Sequence, residues 1–117
     1  MKIPGKIKKN YIFRKVYSKG RYYAENCLVL YVLKNDEDDT NMVGYSVSKK
    51  IGNSVKRNRV KRLMRENFRK ISDKIKTGHF IVFAARPNSS EASYYDIERE
   101  MINAMKRARL FKEDVKK

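Results

Sequence analysis

The chain has 117 residues, a length that fits one domain and leaves no room for a second. Its 29 Lys and Arg residues against 13 Asp and Glu give a net charge of +16, which exceeds what solubility requires and predicts a polyanionic partner, usually nucleic acid. No segment approaches the roughly 18 apolar residues of a membrane span, and the start lacks the apolar run of a signal peptide, so we expect a cytoplasmic protein that does not bind membranes.

The N-terminal segment is strongly basic, because the first 24 residues contain eight Lys or Arg and no acidic residue. Asn10 can cap a short helix and Gly20 can end it. Phe13 and Tyr17 share one side of this helix but lie among cations. The sequence therefore supports two interpretations equally, namely core packing or stacking on the bases of single-stranded nucleic acid.

Four short segments are predicted to be strands because they are apolar and rich in β-branched or aromatic residues. They span residues 21–24, 27–33, 42–49 and 79–85. The loop between the second and third segments contains four consecutive acidic residues, 36–39. A metal-dependent nuclease needs carboxylates that converge from separate elements, so we interpret this contiguous run as a solvated hairpin loop.

The segment 46–69, with the sequence SVSKKIGNSVKRNRVKRLMRENFR, is dense in Lys and Arg and contains one acidic residue. It begins with the alternating pattern of a strand end, and Gly52 marks a turn. Asn53 or Ser54 can then cap a helix. The pattern predicts a strand, a turn and a helix that fades near residue 76.

On a helical wheel the residues of this helix separate into two faces. An apolar stripe within an arc of about 80° is typical of a core-facing side; its members are Val60, Met64, Phe68 and Ile71. A polar face, which we name the ladder face, lies nearly opposite within about 60°; its members are Asn58, Arg62, Arg65 and Arg69. Like charges at this spacing repel by a few tenths of a kcal/mol per pair, whereas Arg suits bidentate recognition of phosphate. We therefore predict that the ladder face binds nucleic acid.

A last helix is predicted from Ser93, which with Asp96 gives a capping-box start, to about residue 111. Apolar residues recur along it at helical spacing and are expected in the core: Ile97, Met101, Ile102, Met105 and Ala108. The order of helix, strands, helix, strand and helix predicts an α+β sandwich, with helices packed on a small sheet.

Two consecutive motifs in the basic segment point to a known family. SVSKKIGNSV at 46–55 and KRNRVKR at 56–62, followed by Arg65 and Glu66, closely resemble the signature segment of the bacterial ribonuclease P protein component, including its Arg-Asn-Arg motif. The resemblance extends in length and element order over nearly the whole chain. It implies a four-stranded sheet packed with three helices in the order α-β-β-β-α-β-α, similar to a domain of a small-subunit ribosomal protein. It also implies a left-handed β-α-β crossover, where general chirality rules alone predict a right-handed one.

The sequence offers no catalytic or metal site. Cys27 and His79 are the only cysteine and histidine, so neither an internal disulfide nor a Cys/His metal cluster is expected, and no nucleophile is paired with a base. We expect a protein that binds rather than cuts and that has no small-molecule substrate. The resemblance implies that cutting is done by the large catalytic RNA of ribonuclease P. The resemblance further implies that magnesium is bound mainly by that RNA and that the protein assists removal of the 5′ leader from precursor tRNA.

The helical wheel and the resemblance together assign residues of this single RNA-binding domain, residues 1–117, to two surfaces. The catalytic RNA is expected on the ladder face and the residue beside it, that is on Asn58, Arg59, Arg62, Arg65 and Arg69. The single-stranded leader is expected in a cleft between the helix and the sheet, at the matching positions Phe13, Tyr17, Tyr31, Lys50, Arg57 and Lys61. Position 17 is Tyr where the family often has Phe, which keeps the stacking surface and adds a hydroxyl group.

Three other functions stay open at this point. A structural RNA-binding protein, such as a ribosomal protein, would explain the charge and the ladder face but gives no reason for an aromatic cleft. A DNA-binding regulator would need base-reading side chains besides Arg on the ladder face, where only Asn58 is available. A nuclease that acts alone would need catalytic residues that the sequence lacks.

Overall fold

The computed structural model describes residues 4–112, which contain three helices and five strands. In chain order they are β1 (Gly5–Lys6), α1 (Asn10–Lys19), β2 (Arg21–Ala24), β3 (Leu28–Lys34), β4 (Met42–Ser46), α2 (Ser54–Ile71), β5 (His79–Ala85) and α3 (Tyr94–Arg107). Short 3-10 turns lie at Lys49–Ile51, Ser72–Lys74 and Pro87–Glu91.

The strands form one mixed sheet in the order β1-β4-β5-β3-β2. β4 is parallel to both β1 and β5, whereas β3 is antiparallel to both β5 and β2. β5 lies at the centre, and its Ile81, Val82 and Phe83 are fully buried, as expected for a strand that is covered on both faces. The predicted α+β class is confirmed.

The prediction of a four-stranded sheet is wrong, because residues 4–112 contain a fifth strand that precedes α1. This strand, β1, is formed by Gly5–Lys6, and neither side chain favours a strand. Backbone bonds to the edge of β4 hold it: the Gly5 N–H donates to the Asn41 C=O (2.8 Å), and the Ile7 N–H donates to the Val43 C=O (2.9 Å). A strand made by its neighbour's edge gives no signal in its own sequence.

Helices cover both faces of the sheet. On one face α1 packs in a small core where Val16 meets Ile7 and Val82. On the other face α2 and α3 lie over the main core. Because β4 and β5 are parallel neighbours, α2 has to carry the chain across the sheet between them. The left-handed sense of this crossover, which the family resemblance implies, stays a prediction.

α2 begins where the sequence predicts, since Asn53 is its N-cap and the Asn53 Oδ1 accepts the Lys56 N–H at 3.0 Å. The four residues of the predicted apolar stripe are all buried. The helix ends at Ile71 rather than near residue 76, because Ser72 starts a 3-10 turn and Ile75 is extended.

Two boundaries nearer the N-terminus also differ from the prediction. Asn10 is the first residue of α1 and not its cap, which is Lys9 without a side-chain hydrogen bond. The strand predicted over residues 42–49 stops at Ser46, because the chain turns into the 3-10 turn at Lys49–Ile51.

α3 has the predicted capping box, in which the Ser93 Oγ accepts the Asp96 N–H and the Asp96 Oδ2 accepts the Ser93 N–H, both at 3.0 Å. It ends at Arg107 rather than near residue 111, and Arg109 takes a left-handed conformation with φ of 57°. Of the five residues expected in its core stripe, three are buried and two are half-buried. The buried ones are Ile97, Met101 and Met105, and the half-buried ones are Ile102 and Ala108.

The acidic residues 36–39 are exposed, as predicted for a solvated loop, but the loop is not a hairpin. β3 and β4 are not neighbours, because β5 lies between them in the sheet. The loop therefore passes over the amino end of β5, where the Asn35 N–H donates to the Gly78 C=O at 2.8 Å.

A buried carboxylate joins α3 to the start of β3, a contact that the sequence did not suggest. Glu100 is 5% exposed, and its Oε1 accepts the Cys27 N–H at 2.6 Å. Burial, followed by the carboxylate of Glu100, raises the pKa of the Cys27 thiol to about 11. At neutral pH the thiol is therefore protonated and packs as a small apolar group.

Stability at mildly acidic pH should depend on His79. Burial lowers the pKa of its ring below 6.5, Lys34 and Lys76 act in the same direction, and a backbone hydrogen bond at Thr77 opposes them. The unfolded chain therefore binds the proton more readily, and the free energy of unfolding should fall as pH decreases through 6.5. Urea unfolding at about pH 7.5 and about pH 5.5 measures this loss.

The control is His79→Gln, which removes the only histidine of the chain. This variant should lose less stability between the two pH values than the unaltered protein does. An equal loss in both proteins would show that another group causes the pH dependence.

Candidate nucleic-acid interface

The ladder face is exposed along α2, and the predicted two-sided helix is confirmed. Asn58, Arg62, Arg65 and Arg69 all lie on the solvent side. Arg62 pairs with Glu66, with 3.6 Å between the Arg62 Nη1 and the Glu66 Oε2. Among residues 4–112, Arg65 and Arg69 have no carboxylate partner, so both guanidinium groups are available to an anion.

Arg59, which the sequence places beside the ladder face, has an internal contact. It is half-buried, and its Nη2 donates to the Ala92 C=O at 2.8 Å. This bond ties α2 to the segment that precedes α3. This bond uses one of the five N–H donors that an Arg side chain carries.

Two cations that the family resemblance assigns to the leader lie beside the start of α2. Arg57 is half-buried, and its Nη1 donates to the Gly52 C=O at 3.0 Å, which closes the turn before the helix. Lys50 is exposed in the 3-10 turn, where its backbone N–H donates to the Ser48 Oγ at 3.3 Å. Neither side chain lines the cavity that contains Phe13 and Tyr17.

An aromatic cluster connects α1 to β3 and β2. The ring centroids of Phe13 and Tyr17 are 6.3 Å apart, those of Tyr17 and Tyr31 are 4.8 Å apart, and those of Tyr22 and Tyr31 are 6.2 Å apart. Phe13 is half-buried over Gly44, where an added Cβ would come within 2.7 Å of its ring. Tyr17 is 37% exposed and Tyr22 is 68% exposed. Much of the Phe13 ring is therefore packed within the fold, whereas Tyr17 and Tyr22 expose aromatic surface to solvent.

A cavity of about 440 Å³, which we name the cleft, opens between α1, the carboxyl end of β4 and α2. It brings together three of the six residues predicted to bind the leader, namely Phe13, Tyr17 and Lys61, and Tyr31 touches Tyr17 at its side. The sequence reasoning missed the other residues that line it: Asn10, Arg14, Tyr45, Ser46 and Val47. The helical spacing of Asn10 and Arg14 with Phe13 and Tyr17 was the available signal for two of them.

A row of small side chains continues from the cleft across the same face of the sheet. The strand register places them opposite one another on β4, β5, β3 and β2, in the order Ser46, Ala84, Val29 and Ala24. We name this set the small row; its members are half-buried or exposed. Neighbouring strands lie about 4.8 Å apart, so the row is about 14 Å long. Tyr31 and Tyr22 belong to the adjacent row and border it.

The described residues 4–112 contain no group of three or more His, Cys, Asp or Glu side chains that could hold a metal ion. The acidic loop uses its side chains locally, since the Asp38 Oδ1 accepts the Thr40 N–H at 2.9 Å. Within the same range no helix is long and apolar enough to cross a membrane.

Comparison with known sequences identifies the family of the chain. A sequence model of the Ribonuclease P family matches residues 1–109. The ribonuclease P protein component of Alkaliphilus metalliredigens is 47% identical over 110 residues, which cover 94% of this chain and 98% of the relative. That of Clostridium novyi is 48% identical over 112 residues, which cover 95% of this chain and 99% of the relative.

Solved structures show the same similarity. The RNase P protein of Staphylococcus aureus superposes with a TM-score of 0.86 at 35% identity, covering 94% of this chain and all of that one. The RNase P protein of Thermotoga maritima gives a TM-score of 0.78 at 25% identity, covering 87% of this chain and 96% of that one. Because sequence and structure match over most of both chains, the protein belongs to the bacterial ribonuclease P protein component family.

Proposed function

We propose that the chain is the protein subunit of a ribonuclease P ribonucleoprotein that removes the 5′ leader of precursor tRNA. One RNA-binding domain, residues 1–117, binds the catalytic RNA on one surface and the leader on another. The observation that carries this proposal is the position of α2. Its ladder face is exposed to solvent, while Lys61 on its other edge lines the aromatic cleft.

The ladder face supplies the affinity for the catalytic RNA. Neutralising RNA phosphates releases counterions, and this release gives most of the free energy of such binding. Arg65 and Arg69 have no carboxylate partner among residues 4–112 that RNA would have to displace, whereas Arg62 exchanges Glu66 for phosphate. Arg59 contributes the donors that its bond to Ala92 leaves free.

The cleft and the small row carry the leader. Unpaired bases stack on Tyr17 and Tyr22, while Phe13 supports Tyr17 from the side of the sheet. The low side chains of the small row let the strand approach the sheet closely, and Arg14 and Lys61 neutralise its phosphates. Lys50 and Arg57 act outside the cleft, at the turn that follows β4.

Cleavage is carried out by the catalytic RNA with magnesium held mainly by that RNA. The protein acts by holding the leader and the catalytic RNA in one geometry. Less translational and rotational entropy is then lost when the cleavage site meets the catalytic RNA.

A cleavage assay tests the proposed function. Adding the protein to the catalytic RNA at limiting magnesium should raise kcat/KM for precursor tRNA about tenfold or more, because one stacked base and neutralised phosphates supply at least about 1.4 kcal/mol. The protein alone should not cleave. Binding to the catalytic RNA without any gain in kcat/KM would instead indicate a structural RNA-binding protein.

The ladder face should set the salt dependence of binding to the catalytic RNA. In the double variant Arg62→Ala, Arg65→Ala the slope of log K against log salt should become shallower by roughly 0.7 to 0.9 for each lost phosphate contact. Filter binding over a series of salt concentrations measures it. The charge-matched control is Arg99→Ala, Lys106→Ala on α3, which should keep the original slope. An unchanged slope in the first variant would contradict the assignment of this face.

Tyr17 should distinguish precursor tRNA from mature tRNA. Tyr17→Ala removes a partly exposed ring and should weaken binding of precursor tRNA to the holoenzyme by roughly 1 to 3 kcal/mol, the value of one stacked base. Mature tRNA, which has no leader, should bind as before. Tyr95→Ala removes an exposed tyrosine on α3 and serves as the control. Equal losses for both tRNAs would rule out leader stacking on Tyr17.

A further inference from the structure

A second cavity, which we name the edge pocket, lies between β1, the edge of β4 and the C-terminal half of α2. Its volume is about 220 Å³, and Val43, Tyr45 and Phe68 give it a mainly apolar lining. Three cations border the same cavity, namely Lys6 on β1 and Arg65 and Arg69 on α2. An apolar recess with cations at its border is suited to a ligand that is planar and apolar at one end and anionic at the other.

The aromatic wall of the edge pocket is fixed in place. The ring of Tyr45 lies nearly parallel to that of Phe83, with an interplanar angle of 14° and 6.1 Å between centroids. Phe68 also packs against Phe83, edge to face, with 6.0 Å between centroids. Because Phe83 is fully buried in the central strand, a ligand meets a preformed surface and little ordering is needed on binding.

Arg65 and Arg69 are exposed to solvent, and their charges also act on the hydroxyl group of Tyr45. Burial raises the pKa of Tyr45, and the charges of Arg65 and Arg69 oppose this rise. The phenol is therefore neutral at physiological pH and can both donate and accept a hydrogen bond. Such a group can bind the polar edge of a heterocycle that enters the recess.

We propose that the edge pocket binds one unpaired nucleotide of the catalytic RNA, with its base against Tyr45 and Phe68 and its phosphate on Arg65 and Arg69. The proposal rests on the function proposed above and adds a specific contact to it. The volume lies below the roughly 300 Å³ of pockets for drug-sized ligands and suits a single ring system. The source is the catalytic RNA, because both arginines belong to the ladder face while the small row lies on the opposite face of the sheet.

Mononucleotide titration of the full chain tests the pocket directly. In two-dimensional NMR of the ¹⁵N-labelled protein, AMP should shift the amide signals of Gly5, Val43 and Ser72 and bind with a Kd of about 1 mM. CMP, GMP and UMP show which base is preferred. Ribose 5-phosphate, which lacks the base, should bind at least about tenfold more weakly, as should adenosine, which lacks the phosphate. Equal binding of AMP and ribose 5-phosphate, or shifts confined to Tyr17 and Tyr31, would overturn the proposal.

Substitutions separate the base contact from the phosphate contact. Ser72 lies at the border of the pocket and is half-buried, so Ser72→Trp should fill the recess while both arginines remain. It should abolish the AMP shifts, and Arg69→Gln should weaken AMP binding about tenfold. Lys106→Gln, a change of one exposed cation on α3, should leave AMP binding unaltered. Circular dichroism checks that each variant is folded, and the titration of the unaltered protein decides the matter if Ser72→Trp is not.

The holoenzyme distinguishes failure of the pocket from failure of the proposed function. Ser72→Trp should weaken binding of the catalytic RNA about tenfold and leave the ratio of precursor to mature tRNA affinity unchanged. If RNA affinity does not change, the pocket proposal is overturned while the cleavage assay still supports the proposed function. If the unaltered protein fails to stimulate cleavage, the proposed function fails, whatever the mononucleotides show.

Discussion

The parallel pairing of β4 with β5 is the constraint on which the rest of the structure depends. Parallel neighbours cannot be joined by a tight turn, so α2 has to cross the sheet between them. The crossing buries Val60, Met64 and Phe68 against the main core and thereby fixes which side of α2 meets solvent. The exposure of the ladder-face arginines and the position of Lys61 at the cleft therefore both follow from the burial of this one stripe.

Charge on α2 is only partly balanced inside the protein. Arg62 and Glu66 form an ion pair, Arg59 bonds a carbonyl group, and Arg65 and Arg69 have no carboxylate partner in the described part of the chain. Such repulsion weakens the isolated helix, and the buried stripe outweighs it. RNA phosphates would relieve the remaining repulsion between the arginines. The repulsion energy of the free protein would then add to the free energy of binding.

Sequence periodicity predicted those elements whose conformation is determined by their own side chains. The buried stripe of α2, the capping box of α3 and the central strand β5 all follow from local patterns in the sequence. β1 could not be predicted, because its strand conformation comes from the edge of β4. The bond from Arg59 to Ala92 and the bond from Cys27 to Glu100 join residues that are far apart in sequence, and no local pattern records such pairs.

The same distinction holds for the candidate site. Helical spacing brought Phe13 and Tyr17 together, and the family resemblance added Tyr31 and Lys61, which the fold places beside them. Tyr22 was missed because its proximity to Tyr31 depends on the register between β2 and β3. Roles for all these residues remain proposals, whereas their grouping is a property of the fold.

The acidic loop and the cleft lie at opposite ends of β4, since residues 36–39 precede the strand and Ser46 ends it. A five-residue strand is about 17 Å long, so the acidic side chains lie well apart from Arg14 and Lys61 of the cleft. A polyanion therefore meets a less favourable potential at the acidic loop than at the cleft. Such an uneven charge distribution favours encounters in which the cleft faces the polyanion.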